Sequence, residues 1–185
     1  MTLYKNKYSI ESFRLKNWDY RNAGAYFITI CTQDRVHFFG EIVNGEMQLN
    51  ETGKIAYDFW DEIPTHFAHV QLGEFVIMPN HIHGILILID SLQCNESTRQ
   101  CNESTSSKNQ FMADISPKSG SVSTIIRSFK SACTKQINRN NPELNFGWQS
   151  RFHDHIIRNH GEYIRIENYI KNNPGNWKED KNRTL

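Results

Sequence analysis

Two histidines separated by one residue are the sharpest chemical feature of this sequence. His81 and His83 flank Ile82 at the start of the apolar run HIHGILILI, which predicts a β-strand. Side chains two residues apart in a strand point to the same face, so both imidazoles project together. Two neutral imidazoles on one face are half of a metal site. The rest of the run is apolar, so two polar rings at its start require hydrogen-bond or metal partners. This favours a metal site over half-exposed strand histidines.

A second histidine pair with the same spacing occurs at His153 and His155. It flanks Asp154 in a more polar stretch between Arg151 and Arg158, so the prediction of a strand is weaker there. These histidines are either surface residues or supporting groups near a bound phosphate. The sequence leaves both interpretations open.

The third feature is a tyrosine followed by an asparagine one helical turn later. Residues 161–173 (GEYIRIENYIKNN) predict a helix that Pro174 ends. Tyr169 and Asn173 are four residues apart on one face of that helix, which offers a phenol nucleophile beside an amide oxygen that could bind a metal. Tyr163 competes as the nucleophile, and Tyr169 could instead be a core residue.

The elements that would position these groups alternate between strand-like and helix-like patterns. Strands are predicted at 25–33, on either side of Asn44-Gly45, at 70–78 and at 81–89, and helices at 50–67, 121–138 and 161–173. Either Asn50 or Thr52 could cap the first helix. The second helix has an apolar stripe formed by Val122, Ile125, Ile126, Phe129, Cys133 and Ile137. The order of strands and helices predicts an α+β fold, a ferredoxin-like split βαβ arrangement with an antiparallel sheet and helices on one face. We expect a single domain over 1–185.

Residues 91–120 interrupt this alternation. They contain CNESTRQ followed at once by CNESTSS, a tandem duplication, and then a polar, serine-rich stretch. The apolar content is too low for a packed element, so a flexible, solvent-exposed insertion is predicted.

Composition excludes several classes of protein. Hydrophobic residues make up 38% and charged residues 22%, which is typical of a globular chain. No apolar run approaches the roughly 20 residues of a membrane helix. The N-terminus lacks the apolar stretch of a signal peptide, and the four cysteines show no CxxC pair. We therefore expect a cytoplasmic protein with free thiols and no membrane association.

Charge is unevenly distributed although the net charge is only +1. Residues 41–75 carry seven acidic residues against one lysine, whereas residues 121–160 carry six basic residues against two acidic ones. An acidic face and a basic face would suit a polyanion bound on one side. Ordinary solvated faces explain the same pattern equally well.

Taken together, the motifs resemble those of the REP-associated tyrosine transposases, a branch of the single-tyrosine HUH transposases. The similarity covers most of the chain in six blocks: RLKNWDYRNAGAYFITICTQDR, LNETGKIA, EFVIMPNHIHGI, STIIRSFKSACTKQIN, FGWQSRFHDHIIR and IENYIKNNPGNW. The most specific block is FVIMPNHIHG, which precedes the tyrosine helix as in the family. The insertion at 91–120 has no counterpart.

The resemblance implies an HUH nuclease-like fold and a role for each chemical feature. His81 and His83 match the metal-binding pair, Tyr169 the nucleophile and Asn173 a third metal ligand, which leaves Tyr163 a structural role. The implied cofactor is Mg²⁺ or Mn²⁺. The implied activity is cleavage and rejoining of single-stranded DNA hairpins, similar to REP elements, through a 5′-phosphotyrosine intermediate. The implied assembly is a monomer or a homodimer.

The partner implied by the resemblance is a polyanion, so basic residues and the second histidine pair are candidate DNA contacts. These are Arg127, Lys130, Lys135, Arg151, His153, His155 and Arg158. Two alternatives remain open. One is a catalytically inactive protein of the same fold that binds single-stranded nucleic acid. The other is a zinc hydrolase that uses His81, His83 and His153, although no HExxH or cysteine-rich spacing supports it.

Overall fold

The structure is a computed structural model that describes residues 18–89, 119–180 and 182–183, together with the backbone of two short N-terminal strands. Nearly all of the insertion predicted at 91–120 lies outside the described residues. The strands are β1 (Leu3–Tyr4), β2 (Tyr8–Ser9), β3 (Gly24–Cys31), β4 (Gly40–Val43), β5 (Glu46–Leu49), β6 (Val70–Met78), β7 (His81–Leu88) and β8 (His153–Ile157). The helices are α1 (Glu51–Asp61), α2 (Ile63–His66), α3 (Val122–Asn140) and α4 (His160–Asn172), with 3-10 turns at Gln33–Arg35, Pro142–Leu144 and Trp177–Glu179.

In the described part of the chain, four strands form a central sheet in the order β6-β7-β3-β8, and each neighbouring pair is antiparallel. β3 and β6 therefore run in the same direction, with β7 inserted between them and α1 in the connection that joins them. This is a split βαβ arrangement. The predicted α+β class with an antiparallel sheet is confirmed.

Helices lie on both faces of the sheet, which differs from the expected arrangement on one face. On one face Tyr26, Ile28 and Ile30 of β3 enter a core that α1 and α3 cover. On the other face α4 packs across β6, β7 and β8. The reason lies in β7, where seven of eight residues are buried. Because alternate residues of a strand face opposite sides, a strand buried throughout needs cover on both.

The predicted apolar stripe of α3 is confirmed and forms part of the core. Its buried residues are Val122, Ile125, Ile126, Phe129, Cys133 and Ile137. Trp60 of α1 lies edge-on to Phe129, with ring centroids 5.2 Å apart. A Cβ at position 84 would come within 2.4 Å of the Trp60 ring. Gly84 therefore allows the helix to approach β7 closely.

The local signals for turns and caps are also confirmed. Asn44 and Gly45 both have positive φ, 53° and 84°, as a tight hairpin between β4 and β5 requires. The Asn50 side chain accepts a hydrogen bond from the backbone N–H of Gly53 at 2.9 Å and caps α1. No helix among the described residues is both long and apolar enough to span a membrane.

Candidate active site

β7 presents His81 and His83 on the face that α4 covers. The pairing of β7 with β3 sets His81 beside Cys31 and His83 beside Thr29. Ile82 points into the core on the other face. Both histidines are buried, and their ring centroids are 4.5 Å apart. The strand alternation predicted from sequence is therefore confirmed at these residues.

α4 brings Tyr169 to this histidine pair. The helix begins after Asn159, whose side chain accepts a hydrogen bond from the backbone N–H of Glu162 at 2.9 Å. The Tyr169 hydroxyl lies 3.2 Å from Nε2 of His83, within hydrogen-bond distance. Tyr169 is 41% exposed, so the phenol borders the buried histidines and remains open to solvent. The structure thus brings the predicted nucleophile and the predicted metal pair together.

Tyr163, the competing tyrosine, lies against the edge strand β6. The pairing of β6 with β7 is interrupted by a bulge between Leu72 and Phe75. Within that bulge a Cβ at Gly73 would come within 2.8 Å of the Tyr163 hydroxyl. Tyr163 therefore helps to seat α4 on the sheet, and it does not line the cavity beside His83.

An acidic residue that the sequence analysis missed completes the cluster. Oδ2 of Asp180 lies 3.8 Å from Nε2 of His81, and the Asp180 side chain is only 3% exposed. Asp180, His81 and His83 each offer one ligand atom within 4.8 Å of the others. Trp177 holds this stretch in place by stacking on His81, with ring centroids 5.9 Å apart. The segment WKED has no periodic pattern, so its only sequence signal was an acid shortly after the tyrosine helix.

Asn173, the predicted third ligand, is buried just beyond the end of α4. Its Nδ2 donates to Oδ2 of Asp180 at 3.1 Å. Within the described residues its Oδ1 has no hydrogen-bond partner, and neither does Nε2 of His81. Buried polar atoms without a partner are rare in folded proteins. Two such atoms beside a buried carboxylate are the donor set that a divalent cation would satisfy, so these residues fit a metal.

Burial controls protonation at the site. Together with the nearby charges of Arg35 and His37, it lowers the pKa of His81 to about 3, so the imidazole is neutral at physiological pH. Burial also raises the pKa of Tyr169 above its usual value, with a contribution from the Asp180 carboxylate, while a hydrogen bond from Asn173 opposes the shift. The phenol is therefore protonated at neutral pH.

The site opens into a cavity of about 630 Å³ lined by Phe27, His83, Tyr169, Asn173 and Asp180, among others. Tyr169 meets Phe27 edge-on, with ring centroids 6.1 Å apart. The cavity thus combines one aromatic wall with the nucleophile and the metal-binding atoms. A flat aromatic ring and polar groups in one cavity can accept a planar base and its phosphate.

β8 places the second histidine pair on the same face of the sheet as the first. His153 lines the cavity. His155 does not line the cavity, and its Nε2 lies 2.8 Å from Oε1 of Glu162. Glu162 also accepts a hydrogen bond from the backbone N–H of Arg158 at 2.8 Å, which ties β8 to the start of α4. Arg151 and Arg158 are exposed.

The remaining predicted DNA contacts are not gathered around the cavity. Arg127, Lys130 and Lys135 lie on α3, which packs against the opposite face of the sheet. The ammonium group of Lys130 donates to the backbone carbonyls of Gln149 and Arg151 at 2.8 and 3.2 Å. Burial lowers the pKa of Lys130 to about 8. Lys130 therefore ties α3 to the loop before β8.

Comparison with known proteins places this geometry in context. An uncharacterized protein of Haemophilus influenzae is 39% identical over 172 residues, which cover 92% of this chain and 91% of the relative. No family model matches the sequence. Among solved structures, a REP-associated tyrosine transposase bound to a REP hairpin superposes with a TM-score of 0.58 at 18% identity, covering 93% of this chain and 77% of that one.

A putative transposase from Deinococcus radiodurans gives a TM-score of 0.45 at 15% identity, over 87% of this chain and 97% of that one. The resemblance inferred from the motifs is confirmed at the level of the fold by the REP-associated enzyme. This chain therefore belongs to one family with the uncharacterized Haemophilus influenzae protein, and its fold is that of the REP-associated tyrosine transposase.

Proposed function

We propose that this protein is a metal-dependent tyrosine transposase that cleaves and rejoins single-stranded DNA through a 5′-phosphotyrosine intermediate. The observation that carries the proposal is the 3.2 Å distance between the Tyr169 hydroxyl and Nε2 of His83. A nucleophile from the last long helix and a metal-binding atom from the sheet share one site. Tyr169 is the proposed catalytic residue.

His81, His83 and Asp180 are the proposed metal ligands, and Asn173 offers its unpartnered Oδ1 as a fourth. A divalent cation held there would neutralise the anionic oxygens of a phosphodiester and polarise its phosphorus. Manganese accepts imidazole ligands more readily than magnesium, which prefers oxygen, so we propose Mn²⁺ or Mg²⁺ with a preference for Mn²⁺.

The chemistry of Tyr169 follows from its protonation state. Because its pKa is raised, the phenol must lose its proton as its oxygen attacks phosphorus. The new bond joins the phenolic oxygen to phosphorus, the bond from phosphorus to the 3′ oxygen breaks, and that oxygen leaves as a 3′-hydroxyl. The phosphodiester energy is kept in the tyrosine ester, so attack by another 3′-hydroxyl rejoins strands without ATP.

Single-stranded DNA folded into hairpins is the proposed substrate. Tyr169 projects from a helix packed on the sheet, and a phosphate inside a regular duplex would not reach it easily. The structural neighbour with the same fold is a transposase bound to a REP hairpin, which supports this substrate class. His153 in the cavity and Arg151 and Arg158 beside β8 are the proposed phosphate contacts.

A covalent-adduct assay tests the proposal. The full-length protein is incubated with 3′-labelled hairpin oligonucleotides that carry single-stranded flanks, with MnCl₂ or with EDTA, and resolved on a denaturing gel. We expect a labelled protein band with Mn²⁺ that EDTA and Tyr169→Phe abolish. Tyr163→Phe is the matched control on the same helix and should keep the band.

Two outcomes would contradict the proposal. DNA binding without an adduct at any Mn²⁺ concentration would favour the alternative, a binding protein of the same fold. Strand cleavage that survives Tyr169→Phe would identify a water-using hydrolase and exclude Tyr169 as the nucleophile.

A further inference from the structure

We infer that Asn80 is a positioning residue that holds His81 in the tautomer able to bind a metal through Nε2; this inference rests on the proposed function. Asn80 is the second residue of the turn between β6 and β7 and is completely buried. Its Oδ1 lies 2.8 Å from Nδ1 of His81. Neither a ligand role nor a catalytic role is assigned to Asn80 itself, which acts through His81.

The direction of this hydrogen bond follows from the other contacts of the Asn80 amide. Nδ2 lies 3.1 Å from the carbonyl oxygen of Arg35 and 3.0 Å from that of Asn182. Carbonyl oxygens only accept, so the amide nitrogen must face them and Oδ1 must face His81. Because Oδ1 also only accepts, Nδ1 of His81 must carry the hydrogen.

The consequence appears at the other ring nitrogen. A neutral imidazole carries one N–H, so hydrogen on Nδ1 leaves a lone pair on Nε2 of His81. Nε2 is the atom that is buried without a hydrogen-bond partner among the described residues, 3.8 Å from the Asp180 carboxylate. The opposite tautomer would set two lone pairs against each other at 2.8 Å and would block Nε2 with a hydrogen. Asn80 therefore keeps Nε2 available before a metal arrives.

His83 provides a contrast within the same strand. Its Nδ1 lies 2.9 Å from the hydroxyl oxygen of Thr29. A hydroxyl can donate or accept, so Thr29 is compatible with either tautomer of His83. Of the two groups, Thr29 and Asn80, the Asn80 amide imposes a tautomer on its histidine, because both of its hydrogens are already committed to carbonyls.

The backbone and the side-chain amide of Asn80 are held by different groups. The backbone carbonyl of Asn80 accepts hydrogen bonds from the backbone N–H and the hydroxyl of Thr32, at 2.9 and 3.0 Å, whereas the side-chain amide donates to the carbonyls of Arg35 and Asn182. Arg35, which supplies one carbonyl, has φ 55°, and Asp34 before it has φ 51°. Two consecutive positive φ values outside glycine are uncommon and persist only where the surrounding structure imposes them. This strained turn aims the Arg35 carbonyl at Asn80.

Imidazole nitrogen NMR and manganese titration test the inference in the full-length protein without DNA. In the metal-free wild type we expect His81, assigned by comparison with His81→Gln, as the neutral Nδ1–H tautomer. Asn80→Ala should lose that fixed tautomer and bind Mn²⁺ about 10–100-fold more weakly, the usual cost of removing a partner that orients a metal ligand. Binding is followed by the loss of the free Mn²⁺ electron paramagnetic resonance signal.

Thr32→Val is the matched control, because it removes buried hydrogen bonds around Asn80 without touching the amide or His81. It should keep the tautomer and Mn²⁺ affinity even where it lowers stability. A wild-type His81 in the Nε2–H form would overturn the inference even if Asn80→Ala does not fold, as would unchanged Mn²⁺ affinity in a folded Asn80→Ala. Neither readout involves DNA, so an absent adduct with these results intact would count against the proposed function alone.

Discussion

Tyr169 and His83 are 86 residues apart in sequence and share one hydrogen bond. Beside them Asp180 changes the charge of the proposed metal site. A site of two imidazoles and an amide would leave the full charge of a divalent cation to act on the phosphate. A carboxylate cancels part of that charge and in exchange holds the ion more firmly. In the proposed site, Asp180 would therefore strengthen metal binding by a set of otherwise neutral donors.

Asp180→Asn tests this contribution at the residue scale. The change keeps the shape of the side chain and removes its charge, so we expect Mn²⁺ affinity to fall by at least about tenfold, equivalent to about 1.4 kcal/mol. Calorimetric titration of the metal-free protein measures the effect. Glu179→Gln, on the neighbouring exposed acid, is the control and should bind Mn²⁺ within about twofold of wild type. Equal losses in both variants would argue for a general charge effect.

The same substitution should change the ionisation of Tyr169. The negative charge of Asp180 disfavours the phenolate and contributes to the raised pKa of Tyr169. Removing that charge therefore lowers the pKa, and the phenolate forms at lower pH. Ultraviolet titration, taken as the difference between each protein and its Tyr169→Phe counterpart, measures this without metal. A pKa that stays the same or rises in Asp180→Asn would show that the charge of Asp180 does not raise the pKa of Tyr169.

At the scale of the elements, the sequence predicted what periodicity and local backbone chemistry determine. The stripe of α3, the cap at Asn50, the hairpin at Asn44-Gly45 and the common face of His81 and His83 are confirmed. Asp180 was missed because its position depends on the stacking of Trp177 on His81, a long-range contact without a periodic pattern. The placement of α4 on the second face was missed because the order of strands and helices does not show which face of the sheet a helix covers.

Lys130 was predicted from its charge to contact DNA, and that remains a prediction; in the structure its ammonium group donates to two backbone carbonyls. We expect Lys130→Met to lower the free energy of unfolding by about 1–3 kcal/mol, because it leaves these carbonyls without their donor. Urea denaturation measures this. Arg151→Gln, at an exposed residue, should change stability by less than about 0.5 kcal/mol.

In DNA binding we expect the reverse order: Arg151→Gln should have the larger effect and Lys130→Met the smaller one. If Arg151 contacts a phosphate, Arg151→Gln reduces the salt dependence of hairpin affinity by about one counterion, and Lys130→Met leaves it unchanged. A reduced salt dependence in a stable Lys130→Met would instead assign Lys130 to the DNA interface.

At the scale of the whole molecule, both ends of the long connection between β7 and α3 meet at His69. The backbone N–H of Ile89 donates to the His69 carbonyl at 2.9 Å, and the His69 ring lies 3.0 Å from the Gly120 carbonyl. Residues 90–118 between these two points lie outside the described residues. His69 therefore contacts the chain on both sides of residues 90–118.

Replacing residues 91–117 by a short glycine-serine linker should leave the fold intact. Each halving of a flexible loop lowers its closure cost by about 0.6 kcal/mol, so the thermal midpoint should stay the same or rise slightly. Calorimetry measures the midpoint, and the adduct assay measures function. A folded deletion variant that no longer forms the adduct would show that the duplicated CNEST segment takes part in handling DNA.

The central sheet separates the hydrophobic core on one face from the candidate active site on the other. Trp60 and Phe129 hold the chain together on one side, and Tyr169 and His83 meet on the other. Because the two groups lie on opposite faces of the sheet, the effects of changes in them should add independently. Loss of the Tyr169 hydroxyl should therefore leave the core around Trp60 intact, and repacking of that core should leave the contact between Tyr169 and His83 in place.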